Sequence, residues 1–192
     1  AYQQLGSLRD PAQWSPQDVE RQRAEQLRRS ALGDGAAMLE ELIVAAGEGA
    51  APLTLAGLYL ALGDWYQWND KTYLAADSYR KVRQQLEESG DAQQLSDWLG
   101  EPVELPANGV FRQLQVPGAQ GEDDPPVVTL GFEVGADGRA RDIELLAATA
   151  AGDGGIVRAK RALRKLRFRP RWIDGSAEAV TGLQREYVLP SR

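Results

Sequence analysis

The side chains that most often carry out catalysis or bind metal ions are missing from this sequence. Its 192 residues include no histidine and no cysteine, which excludes Ser-His and Cys-His nucleophilic sites, cysteine metal sites and disulfides. Any chemistry would have to use carboxylates, lysine or tyrosine, and no pair of acids stands apart from the solvated background. Asp123 and Asp124 adjoin two prolines, a setting typical of a solvated loop rather than an ion site. We therefore expect no enzyme activity, no cofactor and no metal ion.

Positive charge is concentrated near the end of the chain. Residues 151–192 contain ten Lys or Arg and four Asp or Glu, a net +6, whereas residues 1–150 contain twelve and twenty-four, a net −12; together they give the chain's −6. The stretch Arg158–Arg171, with Phe168 inside it and Trp172 next to it, could bind nucleic acid or another anionic surface. Arginines on solvated faces of a helix and its neighbouring strands are the ordinary alternative, and the acidic remainder of the chain argues against nucleic acid.

The most apolar stretch of the sequence does not predict a membrane span. Residues Leu42–Gly63 include Glu48 between two glycines, with Pro52 close behind, and a charge inside a span costs about 2.5–3.5 kcal/mol. Two helices that meet at a turn explain the stretch better. The chain opens at Ala1 without a recognisable signal peptide, so we expect membrane contact only through segments not present in it.

Residues 1–100 are predicted to form an all-α domain. Ser15 as N-cap and Pro16 at the first helical position open one helix, which ends at the glycines of residues 33–35. A second helix follows over Ala36–Ala46, and another is expected over Asp91–Leu99. The second helix is predicted to pack through the apolar residues Met38, Leu39, Leu42, Ile43 and Ala46.

Residues Leu58–Val82 resemble a tetratricopeptide repeat, in which two antiparallel helices interlock through fixed small and large residues. Gly63 and Ala75 are the small residues that would let the helix axes approach. The positions that carry the resemblance are Tyr59, Leu62, Gly63, Tyr66, Ala75, Tyr79 and Val82. Val82 replaces the family's usual alanine, and Glu87 stands where a helix-ending proline is common. No second copy appears one repeat-length away, so we expect one repeat stabilised by the helices on either side.

The repeat resemblance implies a groove for a protein partner along the first helix of the pair. The matching positions are Gly57, Leu60, Asp64, Gln67 and Trp68. Trp68 could grip a peptide or an amphipathic helix, and burial against the Ala36–Ala46 helix is the alternative that we favour.

Residues 101–125 are predicted to be a linker rich in Gly, Pro and acid, with one short apolar stretch, Val110–Leu114, that could be an edge strand. Residues 126–192 predict an α+β domain, an antiparallel sheet with one helix in β-β-α-β-β order. Alternating Val128, Leu130, Phe132 and Val134 indicate a strand with one buried face. A turn at Gly135–Gly138 leads to a return strand with Ile143, Leu145 and Ala147. A helix capped by Asp153 then covers the sheet with Ile156, Ala159, Leu163 and Leu166. A strand with Phe168, Pro170 and Trp172, a turn at Asp174–Gly175 and a closing strand complete the domain.

In this order of elements the segment from about 126 to 190 resembles the C-terminal domain of TonB-family proteins, which couple inner-membrane energy to outer-membrane transporters. The resemblance rests on Asp137-Gly138-Arg139, Phe168-Arg169-Pro170, Asp174-Gly175 and Leu183–Leu189. It implies a periplasmic domain that binds a short transporter peptide by adding it as a strand to the edge of its sheet.

The closing strand, Thr181–Leu189, is the edge at which we expect a protein partner. The implied binding residues are Thr181, Leu183, Arg185, Tyr187 and Leu189. Alternatively, it is only the last strand of the sheet, pairs with its copy in a dimer, or is covered by Val110–Leu114. The sequence contains neither the spanning helix nor the stiff spacer of an energy transducer, so an anchor lies outside it or the chain is a relative that only binds. A helical-repeat scaffold with no transport role is the broader alternative.

Overall fold

The computed structural model describes residues 33–47, 49–106 and 125–189, in which helices come first and a mixed sheet and helix part follows. The helices are α1 (residues 33–46), α2 (Pro52–Trp68), α3 (Thr72–Ser89), α4 (Ala92–Leu99) and α5 (Asp153–Lys165). The strands are β1 (Val103–Glu104), β2 (Val127–Val134), β3 (Ala140–Thr149), β4 (Phe168–Arg169), β5 (Arg171–Ile173), β6 (Ser176–Glu178) and β7 (Val180–Val188). The helix expected after Ser15, the stretch Val110–Leu114 and the acids Asp123 and Asp124 lie outside the described residues.

Helices α2 and α3 form the closely packed antiparallel pair that the small residues predict. Gly63 faces Tyr79 so closely that a Cβ atom at position 63 would lie 2.5 Å from the tyrosine ring. Ala75 is fully buried, and Lys81 Nζ lies 5.3 Å from the centre of the Tyr59 ring. Small residues in the seam therefore allow the two helix axes to approach.

Helix α1 packs through only part of the predicted face, since Leu39, Ile43 and Ala46 are half-buried. Ala36 is buried, and Gly35 contacts the indole of Trp65 in α2. Met38 and Leu42, which we expected on the packed face, are 64% and 48% exposed. The small residues at the start of α1 bring this end of the helix onto the tryptophan, and this orientation turns Met38 and Leu42 outwards.

The main sheet has three antiparallel strands in the order β3-β2-β7, and α5 covers one face of it. The predicted alternation of β2 is confirmed, because Val128, Leu130, Phe132 and Val134 all lie in the core beneath α5. The turn before β3 is also confirmed, with Gly138 at φ 71°. Asp153 is the first residue of α5 rather than its cap, since Gly152 occupies the N-cap position.

Strand β3 is less buried than predicted. Ile143 packs against the core, whereas Leu145 is 40% exposed and Ala147 is exposed. The pairing of β2 with β3 shifts register twice, between Thr129 and Leu130 and again between Gly131 and Glu133. These irregularities interrupt the alternation of β3, which lies along one edge of the sheet.

The predicted second hairpin is divided into separate pieces. Asp174 and Gly175 do form a tight turn, with φ angles of 49° and 79°, as in a two-residue hairpin of type I′. However, this turn joins β5 to the short β6, and the closing strand β7 crosses to pair with β2. Strand β4 pairs instead with β1, whose residues Val103 and Glu104 belong to the predicted linker.

Two hydrophobic cores result, and the second is shared between the two halves of the chain. The first lies between α5 and the main sheet. The second is built from α2, α3 and α4, and Trp172 of β5 inserts into it, with Ala177 of β6 packed against it. The rings of Trp172 and Tyr79 are 5.5 Å apart. The hairpin β5–β6 thus belongs to the helical core in packing, although it follows α5 in the chain.

None of the helices in the described ranges is long and apolar enough to cross a bilayer.

Candidate interaction site

The helix α2 presents the five positions of the predicted groove, and the chain's own segments contact several of them. Gly57 faces the indole of Trp98 in α4, at 3.8 Å from a Cβ built on the glycine. Leu60 packs on the edge of the helical core. Trp68 is half-buried, and its ring centre lies 5.3 Å from that of Trp65, which in turn packs on α1.

Asp64 accepts hydrogen bonds from the buried side chain of Arg169 in β4. The Arg169 Nε and Nη2 atoms lie 2.8 and 2.6 Å from the two carboxylate oxygens. A third donor, Nη1, binds the carbonyl of Trp98 at 2.6 Å, and the Tyr79 hydroxyl donates to Asp64 at 2.9 Å. Burial alone would lower the pKa of Arg169, but the hydrogen bonds and charge of Asp64 raise it. The arginine is therefore a fixed cation that joins β4 to α2 and α4.

The next groove position, Gln67, holds the hairpin between β2 and β3. Its side chain is 2% exposed and donates from Nε2 to the carbonyl of Asp137 at 2.7 Å. Gly138, next in the hairpin, leaves no room for a Cβ atom between Gln67 and the carbonyl of Phe168. A glycine is needed at this turn both for its positive φ and for this close approach.

A third, more exposed contact lies at the end of α2. Asp70 accepts two hydrogen bonds from Arg167, at 2.7 and 3.1 Å, and forms an ion pair with Arg139 at 3.0 Å. The hydrogen bond from Arg167 and the positive charge of both arginines hold the pKa of Asp70 below its usual value, although partial burial opposes this. These contacts extend the junction between the helical half and the sheet to the solvent.

Asp64 and Gln67, which we predicted to line a groove for a partner, are hydrogen-bonded to the C-terminal half of the same chain, and the sequence did not predict these contacts. The residues it missed are Arg169, Asp137 and Arg167. Each stands in a segment that the sequence analysis had assigned to a strand, a turn or a helix end, and no local pattern distinguishes an arginine that will be buried from one that stays in solvent. A surface that could have been open to a partner is thus in contact with the C-terminal half of the same chain.

Strand β7, the closing strand at which we expected a partner, is one of the two edges of the main sheet, and β3 is the other. Seven of its nine residues pair with β2 on one side, and Thr181 and Gly182 fall at a shift of register. No other described strand pairs with its outer side. The last residues are firmly held, because Leu189 is buried beside Gly155 of α5 and donates its N–H to the carbonyl of Pro126 at 2.8 Å. Among the described residues, the outer backbone groups of the strand have no partner strand, which is the arrangement that strand addition requires.

The side chains of β7 that face α5 serve the chain itself. Tyr187 and Leu189 are core residues, and Leu183 packs on the edge of the core. Arg185 forms an ion pair with Glu104 of β1 and lies 5.3 Å from the ring centre of Tyr187. Of the five predicted residues, Thr181 alone is exposed. A partner at this edge would meet the backbone of β7 rather than these side chains.

The face of the sheet opposite α5 carries a shallow groove of about 280 Å³. Gly131 of β2 forms part of its floor, and Leu146 of β3 leans over this glycine. The residues of β7 from Thr181 to Gln184 line one side of the groove, while the acids Glu133, Asp142 and Glu144 line it from β2 and β3. No group of three or more metal-ligating side chains occurs within the part of the chain that the structure describes.

Comparison with models of known protein families finds no match for this chain, and comparison with curated proteins finds none either.

Proposed function

We propose that this chain is a protein-interaction protein of the TonB family that works in the periplasm of the cell envelope. Its function is to bind an extended segment of a protein partner, such as an outer-membrane transporter, along the outer edge of β7. The observation that carries the proposal is the position of β7, which ends a sheet and has only β2 as a described neighbour. Unpaired N–H and C=O groups of an edge strand are satisfied when a peptide is added as a new strand.

In this proposal the helical half supports the sheet instead of offering a second groove. Asp64 and Gln67 are used within the chain by Arg169 and by the β2–β3 hairpin. A partner that entered the same groove would have to displace these buried hydrogen bonds. Trp68 remains half-buried and could extend the partner surface. No catalytic step, cofactor or metal ion has a part in this function.

The proposal can be tested by titrating the protein with fluorescently labelled seven-residue peptides from outer-membrane transporters and measuring anisotropy. Each peptide is compared with two copies that are N-methylated on alternate residues, in opposite phases. In an added strand, alternate N–H groups point at the neighbouring strand, so one phase should abolish binding and the other should leave it intact. Equal loss in both phases, or no binding by any peptide, would refute strand addition.

The same titration separates the TonB-like function from that of a general scaffold with no transport role. Strand addition to the transporter peptides with a clear preference over scrambled copies supports a role in outer-membrane transport. Equal binding of native and scrambled peptides would assign the chain to a scaffold that captures extended segments in general.

A second candidate function is binding to an anionic membrane surface through α5. Arg161 and Arg164 are exposed on this helix and have no carboxylate partner among the described residues. Binding of this kind weakens steeply as salt screens the charges. The test is co-sedimentation with vesicles of phosphatidylcholine that contain 30% phosphatidylglycerol. The fraction of protein bound should fall between low and physiological salt, and absence of binding at low salt removes this candidate.

A further inference from the structure

The acids among residues 125–189 fall into two sets, those with an ion pair to an arginine and those without one. Asp137, Asp174 and Glu178 each form an ion pair with an arginine. The acids without an ion pair to another described residue are Glu133, Asp142, Glu144, Asp153 and Glu186. Asp153 begins α5, where the helix dipole favours a carboxylate. The other four lie on the sheet, away from α5.

Register and burial place these four acids on the open face. Glu144 pairs with Gly131, and Glu186 pairs with Thr129, in alternation with the residues of β2 that are buried under α5. Asp142 and Glu133 line the groove on the same face. Arg141, which pairs with Glu133 across β2 and β3, interacts electrostatically with Glu133 and Asp142, but its guanidinium donates a hydrogen bond to Asp137 at 2.7 Å. Among the described residues, the open face therefore has an excess of negative charge beside the outer edge of β7.

We propose that the segment added to β7 carries lysine or arginine at the positions that face the open side of the sheet. The inference rests on the proposed function and specifies the chemistry of the partner: an extended peptide in which basic residues alternate with apolar or small ones. Side chains of an added strand alternate between the two faces of the sheet. The side chains of the added strand that face α5 would lie beside Leu183, Arg185 and Tyr187 of β7, and the positive charge of Arg185 disfavours a second cation there.

Glu186 is the acid closest to such a partner. It lies on the edge strand itself, and it is exposed. Directly opposite residues of neighbouring antiparallel strands have Cβ atoms about 5 Å apart, a distance at which opposite charges attract and like charges destabilise the pair. The glycine at position 182, also on β7, has a φ of 74° and no side chain, and the groove is open beside it. A long basic side chain can thus lie across β7 towards Glu133.

The experiment uses the full chain and a host peptide of seven residues in which Val and Thr alternate with one variable residue. Three versions carry Lys, Gln or Glu at the variable positions, with blocked ends, and their dissociation constants are measured at 50 and 300 mM NaCl. We expect the Lys peptide to bind at least fivefold more tightly than the Glu peptide at 50 mM, with the difference reduced at 300 mM because salt screens exposed charges. Equal affinities of the three peptides overturn the inference and leave strand addition intact, whereas absence of binding by all three overturns both.

Matched variants locate the charge that is responsible. Glu186→Gln should reduce the preference for the Lys peptide over the Gln peptide by two- to fivefold, the range of a cross-strand ion pair. Glu144→Gln is the control, because its side chain lies on the same face but on β3, two strands away from the outer side of β7. A loss in Glu144→Gln as large as that in Glu186→Gln would contradict a strand on β7, since Glu144 lies on β3 at the opposite edge of the sheet.

Discussion

Arg169 donates hydrogen bonds to Asp64 and to the carbonyl of Trp98 from a side chain that is only 9% exposed. A buried ion pair of this kind adds little compared with apolar residues of the same shape, but removing one partner leaves an uncompensated charge in the interior. The main effect of the Arg169–Asp64 ion pair is therefore to determine which part of the C-terminal half packs against α2. Tyr79 adds a third hydrogen bond to the same carboxylate.

We predict that Arg169→Ala and Asp64→Ala each lower the free energy of unfolding by about 3–5 kcal/mol. The double variant should lose clearly less than the sum of the two, because it buries no unpaired charge. Urea denaturation measures all three. Arg80→Ala is the control, since its ion pair with Asp77 is exposed on α3 and is expected to contribute under about 0.5 kcal/mol. Additive losses in the double variant would contradict a coupled pair.

The low pKa of Asp70 predicts how stability responds to acid. A carboxyl whose folded pKa lies below its unfolded value stabilises the protein above the unfolded value, and this contribution is lost as pH falls through the folded pKa. The ordinary value is 3.8, and Arg167 is the main cause of the lowering. In Asp70→Asn we expect a weaker fall of stability below about pH 4. Because the side chain of Asp70 is nearly half exposed, the substitution should change the free energy of unfolding at neutral pH by less than about 1 kcal/mol. Unfolding curves from pH 7 to pH 2.5 measure this dependence. If Asp70→Asn lost stability below about pH 4 as steeply as the unaltered protein, the ion pair with Arg167 would not be the cause of the low pKa.

The helix pair α2–α3 and the strand β7 differ in how completely their packing and pairing surfaces are filled by the described residues. The helix pair is closed, because Tyr79 fills the space above Gly63 and the seam is fully buried. Strand β7 is half closed, with one row of backbone groups bonded to β2 and the other row without a described partner strand. The first arrangement gives rigidity, and the second leaves a strand position open.

The seam of the helix pair gives a prediction from two glycines in the same helix. Alanine in a helix interior is favoured over glycine by about 1 kcal/mol, so Gly57→Ala should be neutral or raise stability, since its Cβ would meet Trp98 at an ordinary 3.8 Å. Gly63→Ala should instead destabilise the protein by about 1–3 kcal/mol, because the new Cβ overlaps the Tyr79 ring. Thermal unfolding of both variants measures the difference, and a stabilised Gly63→Ala would refute the close packing.

Viewed as a whole molecule, the helical half and the sheet half share a core. Trp172 and Ala177 of the β5–β6 hairpin pack with α3 and α4, while Asp64, Gln67 and Asp70 connect α2 to the sheet half. Two independent domains joined by a linker would have far fewer contacts between them. The partner edge and the helices thus belong to one mechanical unit over the described residues.

This arrangement predicts one cooperative unfolding transition. The NMR signals of Val128 and Leu130 in the core beneath α5 and the far-ultraviolet circular dichroism signal from helix should change at the same urea concentration, as in two-state unfolding. In Arg169→Ala both signals should shift together to a lower urea concentration, because Trp172 still joins the β5–β6 hairpin to the helical core. Two transitions in the unaltered protein would show that the halves unfold independently.

The features of the fold that could be predicted from the sequence are those formed by residues close together in the chain. The alternation of Val128 to Val134, the turns at Gly138 and Gly175 and the small residues Gly63 and Ala75 leave local patterns, and all were predicted. The pairing of β1 with β4 and the switch of β7 to β2 join segments far apart in the chain. Such pairings leave no periodic trace, and neither does the burial of Arg169.

The outer backbone of β7 gives the most direct test of strand addition. Amide hydrogen exchange, read residue by residue by NMR, measures whether each N–H is protected by a hydrogen bond. We predict that the β7 amides pointing away from β2 exchange fast in the free protein and become protected when a binding peptide is added, while the amides bonded to β2 stay protected throughout. Protection of both sets in the free protein, or no change when peptide binds, would contradict the account.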